Sequence, residues 1–238
     1  MQMILALAAV TAFQTTRNGT FTEVRTVPPT SEEAWQTPVL DLDAARSSHP
    51  YLGLGGGLGD ATCKLLSELP PDRRRALLEE LFAEKGLNLN VARIQVGAND
   101  YSAEVYTYDD GAPDPELKRF SIDRDRRWVL PTLREVSEIR KDVFILASPW
   151  TPPGWMKTNG GLFGGWMKSE WIPTYADYCM KFVAAYRDAG VKVQAFTVQN
   201  EPECQRGGSP TCLWHPEQEA KMAKLLRARL DAAGFDGT

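Results

Sequence analysis

From residue 49 onward the chain alternates short apolar runs with stretches of helical hydrophobic spacing. Residues 193–198 are apolar without polar alternation, which predicts a strand buried on both faces in a parallel sheet. Residues 89–96 and 143–147 are read as further strands. The glycine-rich run from Tyr51 to Gly59 reads as a first strand whose glycines let backbones approach closely. Between these lie amphipathic helices. Pro70 and Pro71 start one that Gly86 ends, with Leu77, Leu78, Leu81 and Phe82 as its inner stripe. Leu130, Leu133, Val136 and Ile139 mark the next. Tyr175, Tyr178, Phe182 and Tyr186 mark a third, capped by Gly190. A last helix over residues 216–233 turns Met222, Leu225, Leu226 and Leu230 inward and stops at Gly234. The alternation predicts an α/β fold with a parallel sheet. It supplies four strand–helix units, where a closed barrel has eight.

The strand over 193–198 ends abruptly in Gln199, Asn200, Glu201 and Pro202. Proline cannot donate to a ladder, so Glu201 is expected where the strand gives way to a loop. In a barrel that edge carries the chemistry. The strands over 89–96 and 143–147 end on the same edge, in Asn99, Asp100 and Tyr101 and in Ser148, Pro149 and Trp150. Two long loops follow them, with Tyr106, Tyr108, Asp109 and Asp110 in one and Trp155, Asn159 and Trp166 in the other. Their length marks them as binding loops, though the four aromatics are expected to serve packing more than contact. The glycine run does not match a dinucleotide fingerprint, because its third glycine position falls on Leu58 or Asp60.

Residues 1–48 carry short apolar segments broken by Asn18-Gly19, Pro28-Pro29 and Pro38, with a short strand expected at 39–42. They read as pieces of β structure too small to stand alone. The division expected is therefore 1–48 and 49–238. Residues 1–10 are either a weak signal-like start without a positive n-region or an edge strand running into Phe13–Thr16. A net charge of −4 with no basic stripe gives no support for nucleic-acid binding. No run approaches the ~20 apolar residues of a membrane span. Four cysteines without a Cys-x-x-Cys pair, beside two histidines, write no zinc template; Cys204 and Cys212 are close enough for a loop disulfide to be considered. Seven tryptophans and seven tyrosines suit flat, partly apolar ligands such as sugars, and equally a core.

Five stretches now in hand resemble glycoside hydrolase family 30, the glucosylceramidases and endo-β-1,6-glucanases: residues 54–60, 92–101, 106–110, 147–160 and 199–202, in family order. The resemblance implies a TIM (β/α)8-barrel, of which about the first four units are present here, preceded by strands of an incomplete β-sandwich. It implies that Glu201 is the general acid/base and that Asn200 binds the sugar's 2-hydroxyl. It implies that Trp150, Asp100 and Arg93 line the subsite for the non-reducing sugar, with Tyr101 as the aromatic beside Asp100. These roles suit the residue types. A carboxyl group walled by apolar and aromatic side chains favours its protonated form and can give a proton to a glycosidic oxygen. An aspartate accepts two hydroxyls, and tryptophan offers a flat face to sugar C–H groups. Arg93 is read equally well as half of a structural ion pair.

The family's nucleophile comes from the seventh strand, so this chain is expected to lack it, to be poorly active alone, and to associate through open barrel edges. Gly57 and Gly59 stand where the family more often has larger residues and a Thr or Ser. Hydrolysis of a β-glucoside, glycolipid or glucan is the leading reading, with no cofactor. A non-catalytic sugar-binding remnant and an incomplete product without function are the alternatives. Such substrates are compatible with secretion.

Overall fold

The computed structural model describes residues 11–17, 19–25 and 51–235, and the chain divides into two compact units, 1–50 and 51–238. In the first unit, β1 (Thr11–Thr16) and β2 (Gly19–Arg25) pair antiparallel, from Thr11 opposite Arg25 to Thr16 opposite Gly19. The signal-like start at 1–10, the turn residue Asn18 and the strand expected at 39–42 lie outside the described residues.

The second unit is built on four parallel strands in sequence order. They are β3 (Gly55–Gly57), β4 (Val91–Val96), β5 (Phe144–Pro149) and β6 (Ala195–Phe196). Gly55 stands opposite Val91, Val91 opposite Phe144 and Leu146 opposite Ala195. Although β6 is short, its flanks continue the pairing. The Gln194 N–H donates to the Ile145 carbonyl, Thr197 to Ala147 and Asn200 to Pro149, at 2.9, 3.0 and 2.8 Å. The last of these carries the registry to the residue beside Glu201.

Helices fill the connections: α1 (Asp60–Ser67), α2 (Pro71–Phe82), α3 (Val129–Ile139), α4 (Ile172–Asp188) and α5 (Pro216–Ala232). Proline opens α2 and α5, as its fixed φ and missing N–H favour. Gly190 and Gly234 follow α4 and α5 at φ +82° and +68°, left-handed positions that glycine takes without steric cost. The stripe expected on α2 is narrower than its spacing suggests: Leu78 and Phe82 are buried, while Leu77 is 37% exposed.

The core lies between sheet and helices. Ala92, Ile94 and Val96 of β4 are fully buried in it, and the pleat puts Arg93 and Gln95 on the opposite face. The loop between β4 and α3 is packed down rather than free. Tyr108 stacks on Tyr178 and Phe182 at centroid distances of 6.0 and 5.7 Å. The buried Asp125 accepts hydrogen bonds from the hydroxyls of Tyr106, Tyr108 and Tyr186 at 3.1, 2.6 and 2.6 Å. Burial raises the Asp125 pKa to about 6, and the three hydroxyls oppose that rise. The loop after β5 is fastened similarly. Lys157 is fully buried and donates to the Thr151 hydroxyl and the Thr211 carbonyl at 2.9 and 2.7 Å. Among the described residues no helix is long and apolar enough to cross a membrane.

Candidate active site

The face of β4 turned away from the core begins the site. Arg93, at the middle of the strand, is held by side chains from β5 and from beyond β6. Its Nη2 donates to Ser148 Oγ at the end of β5, 2.9 Å away, and to Asn200 Oδ1 beyond β6, 2.7 Å away. Ser148 and Thr197 share a hydrogen bond of 2.7 Å between their hydroxyls. The guanidinium also lies over the Trp150 ring, 4.6 Å from its centre. Arg93 is thus braced by hydroxyl, amide and aromatic partners, and the ion-pair reading is not what these contacts describe.

Asn200 is oriented by that contact. With Oδ1 committed to Arg93, its Nδ2 faces Glu201 and donates to Oε2 at 3.4 Å. Gln199 supports the same turn from below, giving its Nε2 to the Trp150 carbonyl at 2.6 Å and to the Asn200 carbonyl at 2.9 Å. Glu201 itself sits at φ +47°, a left-handed conformation uncommon for a residue with a side chain. The fold tolerates it because the turn is fixed on both sides. The Glu201 carbonyl accepts from the Cys204 N–H at 2.9 Å, and the Pro202 carbonyl from Trp214 at 3.0 Å.

Beyond β4, Asn99 folds its side chain over the turn and accepts the Tyr101 N–H at 2.8 Å. Ser102 donates to Asp60, the first residue of α1, at 2.7 Å. These bonds place Asp100 and Tyr101, both exposed, at the mouth of the sheet edge.

One cavity of about 290 Å³ collects all six residues singled out from the sequence: Arg93, Asp100, Tyr101, Trp150, Asn200 and Glu201. Gly57, Gly59 and Gln95 complete much of its wall. Glu201 also borders a second cavity of about 430 Å³, beside Glu203, Trp214 and Glu219. Glu201 is exposed, so the enclosing apolar walls expected around it are not in place among the described residues. Asp100 and Glu201 are the acidic residues of the first cavity, and the described residues bring no further carboxylate to it.

Of the loop aromatics, Tyr106, Tyr108 and Trp155 are buried in packing. Trp166 is 39% exposed and stacks on His215 with ring centres 4.1 Å apart. All four cysteines are free thiols, so Cys204 and Cys212 form no bridge. Sequence reasoning passed over Gln95 and Ser148. Both were findable by parity: Gln95 lies two residues from Arg93 on an otherwise apolar strand, and Ser148 stands opposite Gln95 in the register.

Comparison with known proteins bears on the family and the fold. The model of the glycosyl hydrolase family 30 TIM-barrel domain matches residues 51–211. The lysosomal acid glucosylceramidase of Mus musculus is 30% identical over 204 residues, 83% of this chain and 40% of that protein. The endo-1,6-β-D-glucanase neg1 of Aspergillus fumigatus is 31% identical over 229 residues, 87% of this chain and 46% of that protein. Among solved structures, SrfJ from Salmonella typhimurium superposes with a TM-score of 0.74 at 30% identity, covering 77% of this chain and 42% of its own. An endo-β1,6-glucanase superposes with a TM-score of 0.73 at 28% identity, covering 78% and 43%. The chain therefore spans less than half the length of these relatives. A parallel sheet whose carboxyl edge gathers these side chains, matched over residues 51–211 by one family model, makes the chain a member of glycosyl hydrolase family 30.

Proposed function

We propose that this chain carries the proton-donor half of a retaining β-glucosidase site of the glucosylceramidase type. The observation that carries the reading is convergence: residues 93, 100, 101, 150, 200 and 201, drawn from β4 and from the segments that follow β4, β5 and β6, border one cavity of sugar size. In this reading Glu201 protonates the leaving glycosidic oxygen and later activates water. Asn200, turned by Arg93, gives its Nδ2 to the sugar's 2-hydroxyl. Trp150 offers its face to the pyranose C–H groups, and Asp100 accepts a pair of hydroxyls. Tyr101 borders the mouth.

A retaining mechanism needs a second carboxylate about 5 Å from the first. We assign it to a part of the enzyme outside the described residues. Its arrival would also supply the walls that Glu201 lacks here. Residues 1–48 are read as an N-terminal β segment and 49–238 as the barrel portion, with open sheet edges available for association. A β-1,6-glucan is the second reading for the substrate, favoured by the glucanase relatives.

The test is binding first and turnover second. Titration of the full chain with methyl β-D-glucopyranoside, followed by NMR, is expected to show binding that Trp150→Ala abolishes. No binding by the wild type, or equal binding by Trp150→Ala, overturns the reading. The chain alone is expected to turn over an aryl β-glucoside little or not at all. Substantial turnover that Glu201→Gln abolishes would sink the assignment of the second carboxylate.

A further inference from the structure

Gln95 is a polar side chain of the cavity wall that the proposed site leaves unused. It projects from the same face of β4 as Arg93, two residues further toward the carboxyl edge, and is 3% exposed. Its amide oxygen, Oε1, is directed at Gly59. That Oε1 is buried and has no hydrogen-bond partner.

The place it faces is vacated by a glycine. A Cβ on Gly59 would stand 2.9 Å from Gln95 Oε1 and 2.8 Å from Asn99 Nδ2, and all three residues border the cavity. Gly59 has φ −72° and ψ 170°, a conformation open to any residue, so backbone geometry does not demand a glycine here. What its lack of a side chain provides is room. A buried amide acceptor left empty is disfavoured unless something fills it. An acceptor and an amide donor flanking one gap can take a group that both gives and receives a hydrogen bond, which is what a hydroxyl does.

We propose that Gln95 is a specificity contact of this sugar cavity, its Oε1 accepting a hydrogen bond from one glycone hydroxyl seated over Gly59. The contact deepens the β-glucoside reading and rests on it. The hydroxyl is one other than the 2-hydroxyl assigned to Asn200. A glycone lacking it leaves Oε1 empty in the complex as well, and so binds less tightly.

The experiment is an affinity profile of the full chain with methyl β-D-glucopyranoside and its 3-, 4- and 6-deoxy analogues, by NMR titration. For the wild type, one deoxy analogue is expected to bind roughly tenfold more weakly than the parent. In Gln95→Met, which keeps length and loses the acceptor, parent and that analogue are expected to bind alike. Gly59→Ala keeps the Gln95 side chain but sets a Cβ 2.9 Å from its Oε1, closing the gap, and is expected to erase the same difference, which covers the case in which Gln95→Met fails to fold. A profile unchanged in either folded variant, or a wild type indifferent to all three deoxygenations, overturns the Gln95 assignment alone. Absence of parent binding by the wild type overturns the glucoside reading and this contact with it.

Discussion

The Arg93 guanidinium lies over the Trp150 ring, 4.6 Å from its centre. The charge attracts the ring's electron-rich face and is not spent on a carboxylate in the contacts it makes. Arg93→Lys keeps the charge and loses the planar fork that reaches Ser148 and Asn200 together. We expect this variant to weaken methyl β-glucoside binding by about tenfold or more, while its melting temperature falls by only a few degrees. An affinity equal to wild type would show that Arg93 does not orient the sugar-binding side chains.

Lys157 gives a pH dependence with a definite sign. Burial lowers its pKa from 10.5 to about 8. The unfolded chain holds that proton to a higher pH than the folded one, so the folded state carries a penalty at neutral pH. Raising the pH from about 8 toward 10.5 relieves it, and stability rises across that window. Urea denaturation at several pH values, wild type against Lys157→Met, checks this. The wild type should gain on the variant as pH rises, and parallel curves would contradict the assignment.

Asp125 holds three tyrosine hydroxyls, so Asp125→Asn puts a donor where one of them also donates. The expected loss is roughly 2–3 kcal/mol of unfolding free energy, read from chemical denaturation. The pH dependence runs opposite to the usual carboxylate. Its pKa is raised from 3.8 to about 6, so its contribution is greatest below 4 and is lost as pH rises through 6. Asp125→Asn should remove that slope.

The thiols offer a simple count. Cys63, Cys179 and Cys212 are buried, and burial pushes the Cys63 and Cys212 thiols up to about 12. Cys204 is partly exposed. A thiol reagent should label one cysteine quickly in the native chain and all four in denaturant. Two fast native labels would mean that a segment holding one of the buried thiols opens readily.

What the sequence disclosed, and what it hid, follows from the range of each interaction. The strand over Val91–Val96 was legible because Ala92, Ile94 and Val96 recur at the two-residue period that buries one face. Glu201 stood out because Pro202 ends its strand within one residue. The short helix α1 carried no signal, since Gly59 precedes it without a capping side chain and only Asp60, Cys63 and Leu66 turn inward. Leu77 fitted the α2 stripe by spacing, but the core reaches only as far as Leu78 and Phe82. The bracing of Arg93 was unreadable for a different reason. Its partners come from two other strands, and nothing local to residue 93 names them.

That bracing also fixes an order of events. The Arg93–Asn200 hydrogen bond joins residues 107 apart in sequence, and Arg93–Ser148 joins residues 55 apart. Local helices can form within their own turns, but closing such spans waits until β4, β5 and β6 lie in register. A chain emerging from denaturant should therefore recover its helical signal before it regains the cavity proposed to hold a sugar. Ligand capture then dates the last step of folding, the moment at which three separate lengths of chain have met at one edge.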